Sequence, residues 1–143
     1  MDKNKTASPS PIIDHIGIAV NSLEPAIDCW TVLLGGHLSG RETVESEGVD
    51  VAFFGKGPGR VELLAPINED SPIASFIKKR GTGLHHVCVR VSDLEMALKQ
   101  AEARGIEPIP PRIRQGSSGS RVSFVHPKDL DGVLLELREE VNT

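Results

Sequence analysis

Four side chains that can bind a metal ion recur at matching places in two halves of the sequence. His15 lies in "DHIGIAV" and His86 in "GLHHVCVRV", so each histidine stands in the first β-branched stretch of its half. Glu62 in "VELLAP" and Glu136 in "LLELRE" each interrupt an apolar run. Because an unpaired carboxylate is costly to bury, two such glutamates at equivalent positions indicate a shared purpose. Two imidazoles and two carboxylates would suit a borderline to hard divalent cation in octahedral geometry.

An internal duplication makes these four residues equivalent in pairs. Residues 12–27 repeat as 83–98, which aligns His15 with His86 at an offset of 71. The second copy then gains three residues, and "VELL" at 61–64 matches "LELR" at 135–138, an offset of 74. Solenoid repeats are only about 20–50 residues long. We therefore interpret the chain as two copies of a half-domain that bring their four polar residues to one point.

Each half is predicted to contain a strand, a helix and then three strands. The first helix starts at Asn21 or Ser22 and ends at Gly35-Gly36, and the second starts at Ser92 or Asp93 and ends at Gly105. A short linker helix is expected after Ser71-Pro72. The later strands are expected in "LSGRETVE", "VDVAFFG" and "RVELLAP", then in "EPIPP", "SRVSFVH" and "GVLLELRE". The predicted domain order is a disordered lead (1–11), module 1 (12–67), a linker helix (68–82), module 2 (83–139) and a tail (140–143).

Composition excludes several classes of partner. The chain has 143 residues, a net charge of −4 and only 3% aromatic residues, so neither a basic field nor stacking platforms for nucleic acid are expected. No apolar run reaches membrane-spanning length. The start of the chain lacks an apolar signal core, and Cys29 and Cys88 form no disulfide or metal motif. We expect a cytoplasmic protein with two reduced thiols.

Each feature also has a structural interpretation. A single histidine in a strand is usually a core residue whose hydrogen bonds are satisfied, and a glutamate in a last strand usually faces solvent. Strand alternation puts Gly17 on the face of His15 and Cys88 on that of His86. Such small residues would leave room for a ligand, or they would serve tight packing. Alternation also turns His85 away from His86. Cys88 and His126 are weaker candidate ligands than the four repeated residues.

These motifs resemble those of the vicinal oxygen chelate superfamily, and within it the methylmalonyl-CoA epimerase family. The likeness covers residues 12–139 and is most specific in "SPIASF" before "GLHH" and in "HPKDLDGVLLEL". It implies an α+β fold in which two tandem βαβββ modules form a curved mixed sheet around a metal site. It also implies a homodimer, an acyl-CoA thioester substrate and one divalent ion, with cobalt favoured over manganese, nickel, magnesium or zinc. The implied metal ligands are His15, Glu62, His86 and Glu136.

The resemblance implies epimerisation of methylmalonyl-CoA at the carbon between its carboxylate and its thioester. A base takes the α-proton, a metal-stabilised enolate forms, and a proton returns to the other face. Glu136 is our candidate for one of these proton transfers. The second carrier is open, because Val51 stands where some family members have a glutamate. Glu47 and Asp50 are nearby in sequence, although both are typical of solvated strand edges.

Substrate contacts are predicted in a glycine-serine loop and at one lysine. The loop "RQGSSGSR" includes Gly116, Ser117 and Gly119, whose backbone N–H groups could face an anion, although a plain hairpin turn is the simpler interpretation. Lys128 is a further candidate for a phosphate or carboxylate. Clusters at 78–80 and 112–121 offer positive charge for a polyanionic coenzyme A tail in an acidic protein.

Two other functions fit the same sequence. A glyoxalase I-like lactoylglutathione lyase would share the metal site and the proton transfer. A non-catalytic module that sequesters a small molecule, as in resistance proteins, would share the fold without needing the full ligand set.

Overall fold

The structure is a computed structural model that describes residues 10–36 and 38–140. Most of the predicted disordered lead (1–11) lies outside these residues, as does the predicted tail beyond residue 140. Eight strands and three helices follow one another in two βαβββ series. Their bounds are β1 Ile13–Ala19, α1 Leu23–Leu34, β2 Leu38–Val44, β3 Val49–Phe54, β4 Arg60–Pro66, α2 Pro72–Arg80, β5 Gly83–Arg90, α3 Leu94–Glu102, β6 Arg114–Gln115, β7 Arg121–Val125 and β8 Leu135–Glu139.

All eight strands form one curled, mixed sheet in the order β2-β3-β4-β1-β5-β8-β7-β6. Within each module, the first strand pairs in parallel with the last, β1 with β4 and β5 with β8. The two modules meet where β1 and β5 pair antiparallel at the centre. The predicted α+β fold of two tandem βαβββ modules is confirmed. Its pseudo-symmetry places the first and last strands of both modules side by side.

The three helices begin near the predicted capping residues. Ser71 Oγ accepts a hydrogen bond from the backbone N–H of Ile73 at 3.1 Å and starts α2. Asp93 accepts one from Met96 at 3.0 Å and starts α3. Ser22 occupies the N-cap position of α1 without a side-chain capping bond. These two capping bonds satisfy backbone N–H groups in the first turns of α2 and α3.

Two apolar clusters cover module 1 on opposite faces of its sheet. The first cluster surrounds Leu63 and packs against α1, and the second surrounds Leu64 and includes Ile73 of α2. Leu63 and Leu64 are adjacent in β4, so their side chains point to opposite faces. The α2 side of the sheet is the side on which the candidate site lies. Among the described residues, no helix is long and apolar enough to span a membrane.

The prediction of a strand in "EPIPP" is wrong. Pro108 forms an isolated bridge with Val125, Ile109 donates one backbone hydrogen bond to Phe124, and the next strand is the two-residue β6. Proline has no backbone N–H to donate to a ladder, and three of these five residues are prolines. The last strand also starts later than predicted, at Leu135.

Candidate active site

The strand register brings the four predicted ligands around two small residues. Gly17 of β1 is paired with His86 on one side and with Glu62 on the other. Cys88 of β5 is paired with His15 and with Glu136. The repeat-equivalent positions 17 and 88 are thus each flanked by one histidine and one glutamate. Duplication of the fold is what brings these side chains together.

Gly17 is glycine because the His86 ring occupies the space of its side chain. A Cβ built at residue 17 would overlap Cε1, Nδ1 and Nε2 of His86. Of the two interpretations of the small residues, tight packing therefore applies to Gly17, although the group packed against it is the ring of His86 and not a helix.

Three of the four predicted ligands form a tight, buried cluster. Nε2 of His15 lies 3.0 Å from Nε2 of His86. Oε1 of Glu136 lies 3.3 Å from Nε2 of His15 and 3.0 Å from Nε2 of His86. All three donor atoms lie within 4.8 Å of one another, and the three residues are at most 7% exposed. Two imidazole nitrogens and one carboxylate oxygen directed at one point fit a divalent metal ion, with coordination positions left for water or substrate.

Glu62, the fourth predicted ligand, contacts the opposite edge of the His15 ring. Its Oε2 lies 3.0 Å from Nδ1 of His15, and it accepts a hydrogen bond of 2.9 Å from Arg60. Burial raises the pKa of Glu62, while His15 and Arg60 oppose that rise. Glu62 is therefore adjacent to the cluster, but its carboxylate is bound by an arginine that the sequence interpretation did not include.

Two β-bulges aim additional polar residues at the two histidines. Between Ile13 and His15 the first strand has one extra residue, Asp14, and between Leu84 and His86 the fifth strand has one extra residue, His85. Asp14 and His85 are themselves repeat-equivalent. Bulges interrupt strand alternation, so both residues turn toward their neighbouring histidines. The prediction that His85 points away from His86 is wrong for this reason.

Asp14 fixes the orientation and tautomer of His15. Its Oδ2 lies 2.6 Å from Nδ1 of His15, and because a carboxylate can only accept, Nδ1 must donate. Nε2 is thereby the nitrogen that faces the cluster. Asp14 is fully buried and is paired with Arg60 at 2.7 Å, Arg90 at 2.6 Å and Arg138 at 3.5 Å. Sequence reasoning missed this network, although Asp14 stands beside His15 inside an apolar strand.

The electrostatics of the cluster follow from these contacts. Burial alone would lower the pKa of His15, but its hydrogen bonds to Asp14 and Glu136 raise it to about 9. Burial alone would raise the pKa of Glu136, but hydrogen bonds from His15 and His86 lower it to about 2. Glu136 is therefore an anion at neutral pH, and a bound cation would replace a proton on His15.

Asp14, His15 and Cys88 also approach one another closely, but they do not form a second metal site. Burial raises the pKa of the Cys88 thiol, with Glu136 and Asp14 adding to the shift, so the sulfur stays protonated and is a poor ligand. The oxygens of Asp14 are already occupied by arginines. The expectation that Cys88 is the weaker candidate ligand agrees with this chemistry.

A cavity on the open face of the sheet contains the cluster. Its walls include Gly116 and Ser117, two of the four predicted substrate-binding residues, whereas Gly119 and Lys128 are not among its lining residues. Lys128 lies in a short helical turn at the surface. The loop carrying Gly116 is the hairpin turn between β6 and β7, as the simpler interpretation held.

Of the three positions considered for a second proton carrier, Val51, Glu47 and Asp50, two lie at this cavity. Val51 lines it and has no proton to give. Glu47 lines it too, with its carboxylate 3.2 Å from Arg114. Asp50 is not among the lining residues and accepts a hydrogen bond of 2.6 Å from Thr43. Glu47 is thus the only one of the three that combines a carboxylate with access to the cavity.

Comparison with known proteins gives one consistent family. The Glyoxalase/Bleomycin resistance protein/Dioxygenase superfamily matches residues 14–124. The mitochondrial methylmalonyl-CoA epimerase of Homo sapiens is 36% identical over 128 residues, covering 89% of this chain and 73% of that protein.

Two similar solved structures come from the same family. Methylmalonyl-CoA epimerase from Mycobacterium tuberculosis has a TM-score of 0.87 at 34% identity and covers 97% of this chain and 95% of its own. A variant of the Streptomyces coelicolor enzyme in complex with 2-nitronate-propionyl-CoA has a TM-score of 0.86 at 32% identity, covering 92% of this chain and 98% of its own. The chain therefore belongs to the Glyoxalase/Bleomycin resistance protein/Dioxygenase superfamily and, within it, to the methylmalonyl-CoA epimerase family of enzymes.

Proposed function

We propose that the protein interconverts (2R)- and (2S)-methylmalonyl-CoA by removing and returning the proton at C2, with one divalent ion held between its two modules. The observation that carries this proposal is the convergence of His15, His86 and Glu136 within 4.8 Å at the base of the cavity. When bound, the ion would supply Lewis acidity that stabilises negative charge on the substrate's oxygen atoms. Glu62 is the candidate fourth ligand, provided that its carboxylate turns from Arg60.

Other side chains position the histidines and transfer the proton. Asp14 holds His15 so that Nε2 faces the cavity, and Gly17 leaves space for the ring of His86. Glu136 is ionised and uses Oε1 for its contacts with the two imidazoles. We assign it the transfer of the C2 proton on one face of the substrate, because a carboxylate base must lie within hydrogen-bond reach of that proton.

The relatives' names favour epimerisation over a glyoxalase I-type lyase reaction. The protein from Homo sapiens and the solved structures are named methylmalonyl-CoA epimerases, and one of them binds an acyl-CoA analogue. A homodimer and a cytoplasmic location remain predictions from the sequence.

The test is hydrogen exchange at C2 in D2O. Purified protein is incubated with methylmalonyl-CoA, and deuterium incorporation is followed by mass spectrometry with and without a chelator. We expect exchange that stops when metal is removed and returns when it is restored. Glu136→Gln should slow exchange at least 100-fold, since proton transfer by a positioned group contributes about 10²–10⁴-fold.

Glu139→Gln is the matched control, because Glu139 lies in the same strand and pairs with Arg121 at 3.2 Å outside the cluster. It should exchange at the wild-type rate. Turnover of the glutathione hemithioacetal of methylglyoxal without C2 exchange would replace our assignment by the lyase. Retention of full exchange by Glu136→Gln would remove Glu136 from the mechanism.

A further inference from the structure

The curled sheet has a further cavity on the same face as the candidate active site. Its walls include residues of β2, β3, β4, β5 and β8, and it shares no lining residue with the cavity around the cluster. In β4 and β8, the lining residues Arg60 and Arg138 stand two positions from Glu62 and Glu136, so each arginine points to the same face as its glutamate. We call this space the arginine-lined cavity, and it lies beside the cluster along these two strands.

Three arginines of this cavity share one buried carboxylate. Arg60 binds Asp14 at 2.7 Å and also binds Glu62 at 2.9 Å. Arg90 binds Asp14 at 2.6 Å, and Arg138 lies 3.5 Å from it. Because Asp14 carries a single negative charge, it cannot neutralise three guanidinium groups. The charge balance of the cavity therefore depends on the other carboxylates nearby.

The carboxylate of Glu140 leaves part of this positive charge without a hydrogen-bond acceptor. Its Oε1 lies 3.2 Å from Nε of Arg138 and 3.4 Å from a terminal nitrogen of Arg90. Arg138 is only 4% exposed, yet its buried Nε makes no hydrogen bond with any residue of the described part of the chain. A buried donor without an acceptor is costly and uncommon. An acceptor bound in the arginine-lined cavity would remove that cost.

Glu62 connects the charge balance of this cavity with the candidate metal site. Its carboxylate is paired with Arg60, and as the candidate fourth ligand it would have to turn from Arg60 toward the ion. Arg60 would then keep only its share of Asp14, and separating a buried charge from its partner is costly. An anion in the arginine-lined cavity would replace Glu62 as the partner of Arg60. Anion binding and metal binding would therefore favour each other.

We propose that the arginine-lined cavity binds a small oxyanion, either a phosphate group or a carboxylate, at Arg60, Arg90 and Arg138, and that this anion strengthens metal binding by releasing Glu62. Arginine presents paired N–H groups that match both kinds of oxyanion. The site goes beyond the proposed epimerase reaction, and only its link to the metal rests on Glu62 as a ligand. The structural alternative is that the three arginines serve solely to neutralise Asp14.

Calorimetry of the metal-free protein with inorganic phosphate and with succinate tests the site itself. Arg41→Gln/Lys56→Gln removes two exposed cations from the cavity wall and leaves the three inner arginines in place. We expect its anion affinity to fall about tenfold, since two favourable charge contacts are lost. Lys99→Gln/Arg104→Gln is the matched control, because it removes the same charge from exposed positions outside the cavity. It should bind the anion as the wild type does.

Each outcome of this titration is informative. Binding of phosphate alone would identify a phosphate group as the ligand, and binding of succinate alone would identify a carboxylate. Failure of both anions to bind, or equal affinities in the two double variants, would overturn the site. Circular dichroism verifies that each variant folds, and Lys56→Gln alone should show a smaller loss of affinity in the same direction.

Cobalt affinity, followed by optical titration, tests the link to Glu62. Sulfate serves as the anion because phosphate would precipitate cobalt, and sodium chloride at equal ionic strength is the reference. We expect sulfate to raise the cobalt affinity of the wild type at least fivefold, the lower end of the usual coupling between two sites. Arg60→Leu should abolish this rise, because it has no Arg60–Glu62 pair to release.

An unchanged cobalt affinity in sulfate, or the same rise in Arg60→Leu, would overturn the link between the two sites. Neither titration requires turnover. A protein that binds the anion and couples it to cobalt without exchanging the C2 proton would keep this inference and refute the proposed epimerase function.

Discussion

The two modules place groups of different charge beside their histidines, an anion in module 1 and a neutral imidazole in module 2. In module 1, the bulged residue beside His15 is Asp14, a buried anion. In module 2, the equivalent bulged residue beside His86 is His85, with its Nδ1 2.9 Å from Nδ1 of His86. Burial and the charge of His86 lower the pKa of His85 to about 4, so it is neutral at neutral pH. The same backbone feature thus places a buried anion beside one histidine and a neutral imidazole beside the other.

The two glutamates differ for a related reason. Arg60 stands two residues before Glu62 and binds it at 2.9 Å. The equivalent position before Glu136 is Leu134, so nothing in its own strand binds that carboxylate in the same way. Glu136 instead contacts both imidazoles. Duplication gave four symmetric positions, but their neighbours have diverged. In module 1, Glu62 is held in an ion-pair network with Arg60, whereas in module 2 the carboxylate of Glu136 is left to contact the two imidazoles.

The largest expected effect is a loss of folding stability when the buried ion pairs of Asp14 in module 1 are broken. Asp14→Asn would leave Arg60, Arg90 and Arg138 without their shared buried anion, and breaking a buried ion pair costs about 3–5 kcal/mol. We expect a loss of that size in the free energy of unfolding, measured with urea. The equivalent change in module 2, His85→Asn, should cost much less, because no buried charge is left unpaired. Equal losses in the two variants would contradict the comparison.

The carboxylate of Asp14 should also make the free energy of unfolding depend on pH. Three arginines and His15 hold the pKa of Asp14 well below its ordinary value, although burial alone would raise it. Because the pKa of this carboxyl group is lower in the folded than in the unfolded state, its ion pairs add to the free energy of unfolding above the unfolded pKa of about 4. That contribution is lost as the pH falls from about 4 toward the folded-state pKa. The wild type should therefore lose stability below about pH 4 more steeply than Asp14→Asn, measured as urea midpoints across pH. Parallel curves would show that Asp14 is not the group responsible.

The next effect concerns the two small residues between the ligands. Gly17→Ala would place a methyl group inside the ring of His86, so the ring must move. We expect cobalt affinity, followed by optical titration, to fall about 100-fold, the upper range for disturbing the support of a ligand. Cys88→Ala, at the equivalent position, is the matched control and should stay within a few-fold of wild type. Similar affinities in both variants would mean that His86 is not a ligand.

The smallest effect tests the arginine that binds Glu62. Arg60→Leu copies the module 2 sequence at this position and releases Glu62 toward the cluster. Because it adds net negative charge near the ion, we expect cobalt affinity to rise by up to about tenfold, at a cost in stability. Leu134→Arg, the reciprocal change, should lower cobalt affinity. A fall in affinity for Arg60→Leu would indicate that Arg60 supports the site and does not compete with it.

The repeat, which can be read directly along the chain, predicts the fold and three of the four clustered ligands, whereas Glu62 lies beside the cluster against Arg60. His15, His86 and Glu136 were predicted from their equivalent positions, and the structure brings them together. Asp14 and His85 could not be placed, since strand alternation predicts an outward side chain and only the register of the partner strand reveals a bulge.

Contacts between residues far apart in the sequence explain why the arginine partners of Asp14 could not be predicted. Arg90 and Arg138 reach Asp14 from strands far away in the sequence, and no local pattern marks them as its partners. The sequence predicts Gly119 and Lys128 as substrate contacts, but whether a loop residue faces the cavity depends on how the sheet curls, and neither residue lines it. The position of the segment 107–111 in the repeat predicts a strand, whereas its three prolines disfavour one.

The most direct test of the account is the position of the metal. Crystals grown with cobalt are measured at the cobalt absorption edge, and the anomalous difference map is calculated. We expect one strong peak per chain, bonded to Nε2 of His15, Nε2 of His86 and a carboxylate oxygen of Glu136. A protein that exchanges the C2 proton while these three side chains point apart, with no peak between them, would contradict the claim that the two modules share one cation.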